Sequence, residues 1–178
     1  MHRRQLIASL AALPLAGMGG RLWAQAGFQF NSIDGGVYDM TDWRGQPVLV
    51  VNTASLCGYT PQYDELQALH ETYGPRGLVV LAVPSDDFRQ ELTSDAAVAE
   101  FCELNFNLTL PMTTITSVRG SGAHPFYLWL RETYGFEPGW NFNKVLLDGS
   151  GQMVNSFGSN TRPSSNRIRR EIEALLPA

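Results

Sequence analysis

Two short runs of consecutive apolar residues in the first half of the chain predict the centre of a sheet. Residues 47–52 read Pro-Val-Leu-Val-Val-Asn, and residues 78–83 read Leu-Val-Val-Leu-Ala-Val. Short runs rich in β-branched residues are typical of strands that are buried on both faces. Between the two runs, one apolar face recurs at helical spacing and comprises Tyr63, Leu66, Leu69 and Tyr73. The pattern predicts strand, helix and strand, with the helix beginning at Thr60-Pro61 through a capping hydroxyl and an N-terminal proline.

Three further helices and a hairpin are predicted in the second half of the chain. Ser94-Asp95 is a helix N-cap pattern, and helices are also expected near 124–134 and over 164–176. The turn sequence Asp-Gly-Ser-Gly at 148–151 separates two apolar runs and predicts a hairpin from Asn143 to Phe157. Strands that alternate with helices and end in a hairpin give an α/β fold with a central mixed β-sheet and helices on both faces. This order is compatible with a thioredoxin-like sandwich.

The first 26 residues have the layout of an export signal. A basic start, Arg3-Arg4, precedes an uncharged run of apolar and small residues from Leu6 to Gly20, and Ala24-Gln25-Ala26 follows as a cleavage pattern. An uncleaved membrane anchor is the alternative, but the run is short for a bilayer span and contains Gly and Pro. We therefore expect a signal peptide at 1–26 and a single domain at 27–178. The expected destination is a bacterial periplasm, reached by the Sec route or, given the paired arginines, by the twin-arginine (Tat) route.

The charge balance argues against nucleic acid and anionic membranes as partners. The chain carries 13 Lys and Arg against 17 Asp and Glu, and residues 1–26 hold three of the arginines and no acid. The remaining chain is therefore distinctly acidic and repels polyanions, and we expect no stable insertion into a membrane. The sequence has no C-x-x-C pattern and no cluster of His and Cys, so neither a metal nor a cofactor is expected.

The two cysteines, Cys57 and Cys102, leave two interpretations open. In an exported protein two cysteines can form one structural disulfide. Cys57, however, follows a predicted buried strand and precedes a helix start, where backbone N–H groups and the helix dipole favour a thiolate. A thiolate is the form that attacks a peroxide oxygen and becomes a sulfenic acid. Position alone does not separate a reactive thiol from an inert buried one.

The segment around Cys57 resembles the active-site segment of glutathione peroxidases. Residues 51–63 read Val-Asn-Thr-Ala-Ser-Leu-Cys-Gly-Tyr-Thr-Pro-Gln-Tyr, and the resemblance continues in chain order through residues 77–81, 100–105, 123–125 and 140–144. It therefore covers nearly the whole chain after residue 26, and it implies a thioredoxin-like fold and peroxidase activity. The loop at 84–88, Pro-Ser-Asp-Asp-Phe, departs from the family's pattern and is one residue shorter before Gln90.

The resemblance implies that Cys57, Gln90, Trp140 and Asn141 form the catalytic set. Two side-chain amides and an indole N–H are neutral donors that can hydrogen-bond a thiolate and the oxygen that it captures. Taken one at a time, Trp140 would be interpreted as a core aromatic residue, and Gln90 or Asn141 as a surface amide. Together with the segment around Cys57, they favour the catalytic interpretation.

A resolving role for Cys102 is implied by the segment Phe-Cys-Glu-Leu-Asn at 101–105, which resembles that of the thioredoxin-dependent branch of the family. In the implied cycle, Cys102 attacks the Cys57 sulfenic acid, and the resulting disulfide is reduced by an external thioredoxin-like dithiol, with glutathione as the other candidate reductant. Because a disulfide requires Cα atoms within about 7 Å, we expect the helix that carries Cys102 to unwind in part during turnover.

The implied substrates are hydrogen peroxide and organic or lipid hydroperoxides. A monomer is expected, because the chain passes from Leu130 to Trp140 without the long insertion that builds tetramers in some family members. Two alternatives to an enzyme remain. One is a peroxide sensor or redox relay that passes its disulfide to a partner protein, and the other is a non-catalytic thioredoxin-like binding module with a structural disulfide. The catalytic set argues against the second, whereas sensor and enzyme begin with the same peroxide reaction.

Overall fold

The computed structural model describes residues 27–177, so the predicted export signal lies outside the described residues. Within that range the chain forms six strands and four α-helices: β1 (Gln29–Asn31), β2 (Val37–Asp39), β3 (Val48–Thr53), α1 (Gln62–Tyr73), β4 (Val79–Pro84), α2 (Asp95–Phe106), α3 (Pro125–Tyr134), β5 (Lys144–Leu147), β6 (Met153–Phe157) and α4 (Asn166–Leu175). None of these helices is long and apolar enough to cross a membrane.

Four of the strands form one mixed sheet in the order β4-β3-β5-β6. Strand β3 runs parallel to β4 and antiparallel to β5, while β5 and β6 form the predicted hairpin. Strands β1 and β2 form a separate antiparallel pair. Because β3 and β4 are parallel and in register from Val48 opposite Val79 to Thr53 opposite Pro84, the loops that follow them leave the sheet at the same edge. Residues that those loops carry are therefore placed close together.

Alternate residues of the two parallel strands contribute to two apolar cores on opposite faces of the sheet. Leu49 and Val51 pack with the inner faces of α1, α2 and α4, whereas Val48 and Val50 pack with α3 and β1. All six residues of each strand are buried, which confirms the prediction made from the two continuous apolar runs. Helices on both faces of a mixed sheet make this the thioredoxin-like α/β fold that the sequence predicts.

Most helix ends agree with the sequence pattern, and one capping prediction is wrong. Ser94 caps α2, with its Oγ accepting the Ala97 N–H at 3.2 Å. Helix α1 begins at Gln62 without a side-chain cap, so Thr60 and Pro61 do not open this helix as predicted. The Thr60 hydroxyl oxygen accepts the Cys57 N–H at 3.1 Å instead, and its proton is donated to the backbone oxygen of Ala54 at 2.8 Å, so that the hydroxyl serves the turn between β3 and α1 and not the helix.

Candidate active site

Cys57 lies in the turn between β3 and α1, and Thr60 braces the backbone there. The Cys57 N–H donates to Thr60 Oγ1 at 3.1 Å, and the Tyr59 N–H donates to Cys57 Sγ at 3.4 Å. Cys57 is buried, with 8% of its surface exposed. The sulfur therefore has a backbone N–H donor, but this donor comes from the turn and not, as the sequence suggested, from the first turn of a helix.

Gln90 lies in the loop after β4, and this loop is fastened to the turn that carries Cys57. The Leu56 N–H donates to the backbone oxygen of Gln90 at 2.9 Å. The half-buried Gln90 side chain accepts at Oε1 a hydrogen bond from Asn141 Nδ2, also at 2.9 Å. Because Oε1 is the acceptor, Nε2 is the donor end of the Gln90 amide. The structure thus brings Cys57, Gln90 and Asn141 to one edge of the sheet.

Asn141 is completely buried, so it is not a surface amide. The segment that carries it is held by Asn52 of β3, whose Nδ2 donates to the backbone oxygen of Trp140 at 3.0 Å and whose Oδ1 accepts the Asn143 N–H at 3.1 Å. The Ser159 hydroxyl donates to the backbone oxygen of Asn141 at 2.6 Å. Asn52 is thus a positioning residue that the sequence analysis missed. The available signal was a polar side chain at the end of an otherwise apolar buried strand.

The side chain of Trp140 lies at the surface and packs against Phe88, not against Cys57 or Gln90. Its side chain is 43% exposed, and its ring centroid lies 5.2 Å from that of Phe88. The guanidinium of Arg119 lies 5.1 Å from the centroid of the Phe88 ring. Trp140 is therefore not a core aromatic residue. It precedes Asn141 in the chain, and its indole packs against Phe88 at the surface.

The backbone has a left-handed conformation beside both amides. Arg89, which precedes Gln90, has a φ of 57°, and Phe142, which follows Asn141, has a φ of 59°. Residues other than glycine seldom adopt such angles, and the cost is on the order of 1 kcal/mol or more. Phe142 is fully buried, and its N–H donates to the backbone oxygen of Asn52 at 2.6 Å. Tertiary packing therefore holds the strained backbone at Phe142, beside Asn141, whereas Arg89 is exposed.

Cys102 lies within α2 and is more deeply buried than Cys57, with 2% of its surface exposed. Both cysteines are free thiols and line the same apolar core. Burial raises the pKa of the Cys102 thiol to about 11; the Tyr63 hydroxyl opposes this rise and the negative charge of Glu91 adds to it. The structure therefore keeps Cys102 as a neutral thiol that is sheltered from solvent.

A polar cleft of about 390 Å³ adjoins the turn that carries Cys57, and its lining includes Tyr59, Gln62, Glu65, Asn160 and Arg162. A fully buried lysine, Lys144, donates from Nζ to Gln62 Oε1 and to the backbone oxygen of Thr161. Burial lowers the pKa of Lys144 to about 8, although the negative charge of Glu65 opposes this shift. The sequence analysis placed Lys144 only within a segment that resembles the family and assigned it no role.

The fold and this site define a class of protein. The thiol lies beyond the carboxyl end of a central strand, its sulfur has a backbone N–H donor, and side-chain amides lie in the adjoining loops. This arrangement is that of a thiol-dependent oxidoreductase of thioredoxin-like fold. Among residues 27–177 there is no group of three or more His, Cys, Asp and Glu side chains that could hold a metal ion.

Comparison with known proteins narrows that class to one family. The sequence profile described as glutathione peroxidase matches residues 26–131. The chain is 37% identical over 164 residues to the hydroperoxy fatty acid reductase gpx1 of Synechocystis sp., with 84% of this chain and 94% of that protein covered. It is 42% identical over 139 residues to the glutathione peroxidase-like peroxiredoxin 2 of Saccharomyces cerevisiae, with 75% and 85% covered.

A solved structure supports the same assignment. The crystal structure of T. cruzi GPX1 superposes with a TM-score of 0.63 at 31% identity, covering 83% of this chain and 93% of that one. The chain belongs to the glutathione peroxidase family, and it is accordingly a peroxidase, an oxidoreductase with a peroxide as acceptor.

Proposed function

We propose that the protein is a thiol peroxidase in which Cys57 is the peroxide-reducing residue. The Cys57 thiolate attacks one oxygen of the peroxide and the O–O bond breaks, so that Cys57 becomes a sulfenic acid. The other oxygen leaves as hydroxide or alkoxide and takes up the proton that the thiol had released, which gives water or an alcohol. The observation that carries the proposal is a pair of hydrogen bonds at Gln90. Its backbone oxygen accepts an N–H from the turn that carries Cys57, and its side chain is fixed by Asn141. Neutral donors held in this way stabilise negative charge on the sulfur and on the departing oxygen.

Cys102 completes the proposed cycle. Its thiol attacks the sulfenic sulfur of Cys57, which releases water and forms the Cys57–Cys102 disulfide, and an external thioredoxin-like dithiol then reduces this disulfide. The yeast relative's name, a glutathione peroxidase-like peroxiredoxin, supports a thiol-based cycle of this kind. Because Cys102 is buried within α2, the attack requires this helix to open at least locally.

Both small and bulky peroxides are proposed as substrates. The indole of Trp140 and the side chain of Leu56, directly before Cys57, are exposed apolar surface in segments that adjoin the site. Such a surface suits an acyl chain as well as hydrogen peroxide. The cyanobacterial relative is named a hydroperoxy fatty acid reductase, which supports lipid hydroperoxides as part of the substrate range.

The proposed setting is the bacterial periplasm, with the first 26 residues acting as a Sec or Tat signal and the remaining chain acting as a monomer. The support is the order of basic, apolar and small residues in that segment. Fractionation of the producing cell followed by N-terminal sequencing tests this proposal. Mature protein that begins at Gly27 in the periplasm, with a monomer mass in solution, is expected; an intact chain in the membrane fraction would contradict it.

The activity is tested by following the consumption of hydrogen peroxide and of a fatty acid hydroperoxide, once with a thioredoxin system and once with glutathione. Cys57→Ser should abolish turnover with both reductants. Cys102→Ser should retain one round of peroxide reduction but lose turnover driven by thioredoxin. Full activity in Cys57→Ser would contradict the central role of this thiol, and full thioredoxin-driven turnover in Cys102→Ser would exclude only the resolving role.

A further inference from the structure

A buried acid lies directly after Gln90 and has no place in the proposed chemistry. Glu91 is only 7% exposed, and one carboxylate oxygen, Oε1, accepts two backbone N–H groups. These belong to Ser55, at 3.0 Å, and to Leu92, at 2.8 Å. The other oxygen, Oε2, is buried without a hydrogen-bond partner. A buried carboxylate oxygen without a hydrogen-bond partner lowers the stability of the fold. The retention of Glu91 at this position therefore suggests a role for the bonds at Oε1.

Two consecutive backbone N–H groups of the Cys57 turn donate hydrogen bonds to the loop that carries Gln90 and Glu91. Ser55 donates to the side chain of Glu91, and Leu56 donates to the backbone oxygen of Gln90. The acceptors are likewise consecutive residues of the opposite loop. A single hydrogen bond would let the turn pivot against the loop, whereas two adjacent bonds fix both their separation and their relative orientation. The turn is held in this way immediately before Cys57.

We infer that Glu91 is the positioning residue that fixes the Cys57 turn against Gln90. This inference rests on the proposed function of Cys57 and Gln90. Glu91 acts through them: its Oε1 orients the backbone of Ser55, and the Gln90 amide, anchored on its other side by Asn141, then keeps its place relative to the sulfur. Both hydrogen bonds are made to Oε1, and an amide oxygen in the same place can also accept two N–H groups, so we assign the role to the accepting oxygen and not to the negative charge.

Two substitutions separate reach from charge. Glu91→Gln keeps the length and an accepting oxygen but removes the charge, while Glu91→Asp keeps the charge but shortens the side chain by one methylene. Asp95→Asn is the matched control, because Asp95 also accepts a backbone N–H, that of Ile115 at 2.7 Å, at the start of α2. All variants are made in a Cys102→Ser parent, so that Cys57 is the only thiol that can react.

Two rates are measured in each variant: alkylation of Cys57 by iodoacetamide at fixed pH, and a single turnover with hydrogen peroxide. Glu91→Asp should lower both by about tenfold or more, because small displacements of reacting groups are costly. Glu91→Gln should stay within about threefold of the parent, a rescue that loss of stability alone would not produce. Asp95→Asn should leave both rates unchanged. Glu91→Ala, which removes the acceptor altogether, should be at least as slow as Glu91→Asp.

Two results would overturn the inference. Parent-like rates in both Glu91→Asp and Glu91→Ala would show that the hydrogen bond from Ser55 to Glu91 is dispensable. A Glu91→Gln variant as slow as Glu91→Asp would show that the charge matters more than the accepting oxygen. Failure of the proposed function gives a different pattern. The parent would then not reduce peroxide, while alkylation of Cys57 would still fall in Glu91→Asp and remain high in Glu91→Gln.

Discussion

Asn141 donates a hydrogen bond from Nδ2 to Gln90 Oε1 at 2.9 Å, across 51 positions of sequence. The two amides belong to different loops, one after β4 and one before β5. The bond fixes which end of the Gln90 side chain can donate, so that neither residue is correctly oriented without the other. Gln90 and Asn141 therefore form one hydrogen-bonded unit in the structure.

Removal of both members of this pair should cost little more than removal of one. Gln90→Ala and Asn141→Ala should each slow the single-turnover reaction with hydrogen peroxide by about tenfold or more, and the double variant should be similarly slow. Stopped-flow measurement of the three variants forms a double-mutant cycle. Asn155→Ala, which removes an amide that binds Glu171 away from the site, should leave the rate unchanged. Multiplicative losses in the double variant would show that the two amides act independently.

Weakening the N-terminus of α2 should speed formation of the Cys57–Cys102 disulfide. Ser94 Oγ accepts the Ala97 N–H, and loss of such a cap destabilises a helix by about 1 kcal/mol, which raises the open fraction about fivefold. We expect Ser94→Ala to accelerate disulfide formation accordingly after a pulse of peroxide. The matched control is Ser165→Ala, which removes the corresponding cap of α4.

Hydrogen exchange provides a second measurement of the same opening. Residues 95–106 should lose protection when the protein passes from the reduced to the oxidised form, because the helix cannot stay intact while Cys102 leaves the core. Equal protection in the two forms would contradict this prediction. So would equal acceleration by Ser94→Ala and Ser165→Ala.

The buried Cys102 thiol should make the protein less stable at alkaline pH. Its pKa is raised by burial to about 11, so the folded state favours the neutral thiol. The contribution is fully present below the thiol's ordinary pKa and is lost as the pH rises through the folded value. Under reducing conditions, the free energy of unfolding of the parent relative to Cys102→Ser should fall by up to about 3 kcal/mol between pH 9 and 11. A constant difference over that range would contradict the prediction.

Lys144 should act in the opposite direction over much of the same range. Burial lowers its pKa to about 8, so between that value and the ordinary lysine pKa the folded protein binds fewer protons than the unfolded chain, and stability rises with pH. Relative to Lys144→Met, the parent should gain up to about 3 kcal/mol from pH 8 to 10.5. Urea unfolding at several pH values measures this gain, and parallel curves for the two proteins would exclude it.

Local sequence patterns predicted the framework of the molecule well. Strands β3 and β4 follow from their continuous apolar runs, the inner face of α1 from its helical spacing, and the start of α2 from the capping residue Ser94. These signals are local, because burial and hydrogen bonding within a few residues decide them. The location of Cys57 just after β3 followed from the same reasoning.

The residues that hold the loops of the site in place could not be predicted, because their hydrogen bonds join positions that are far apart in the sequence. Asn52 holds a segment about 90 residues away, and Glu91 holds a turn 36 residues before it. Thr60 had the residue type of a helix cap, but its hydroxyl oxygen accepts the Cys57 N–H instead of an N–H of α1. The left-handed backbone at Arg89 also lacks a sequence signal, because glycine is the residue that usually marks such a conformation.

The exposed position of Trp140 gives the protein an intrinsic optical reporter. The emission of an indole depends on the polarity and charge around it. This ring is 43% exposed, whereas Trp43 and Trp129 are half-buried beside other aromatic residues. A rearrangement of the segment that carries Trp140, which Asn141 joins to Gln90, therefore alters the surroundings of Trp140 more than those of Trp43 or Trp129. A change in the protein's own fluorescence on oxidation and recovery is therefore expected to come mainly from Trp140, and Trp140→Phe should abolish it.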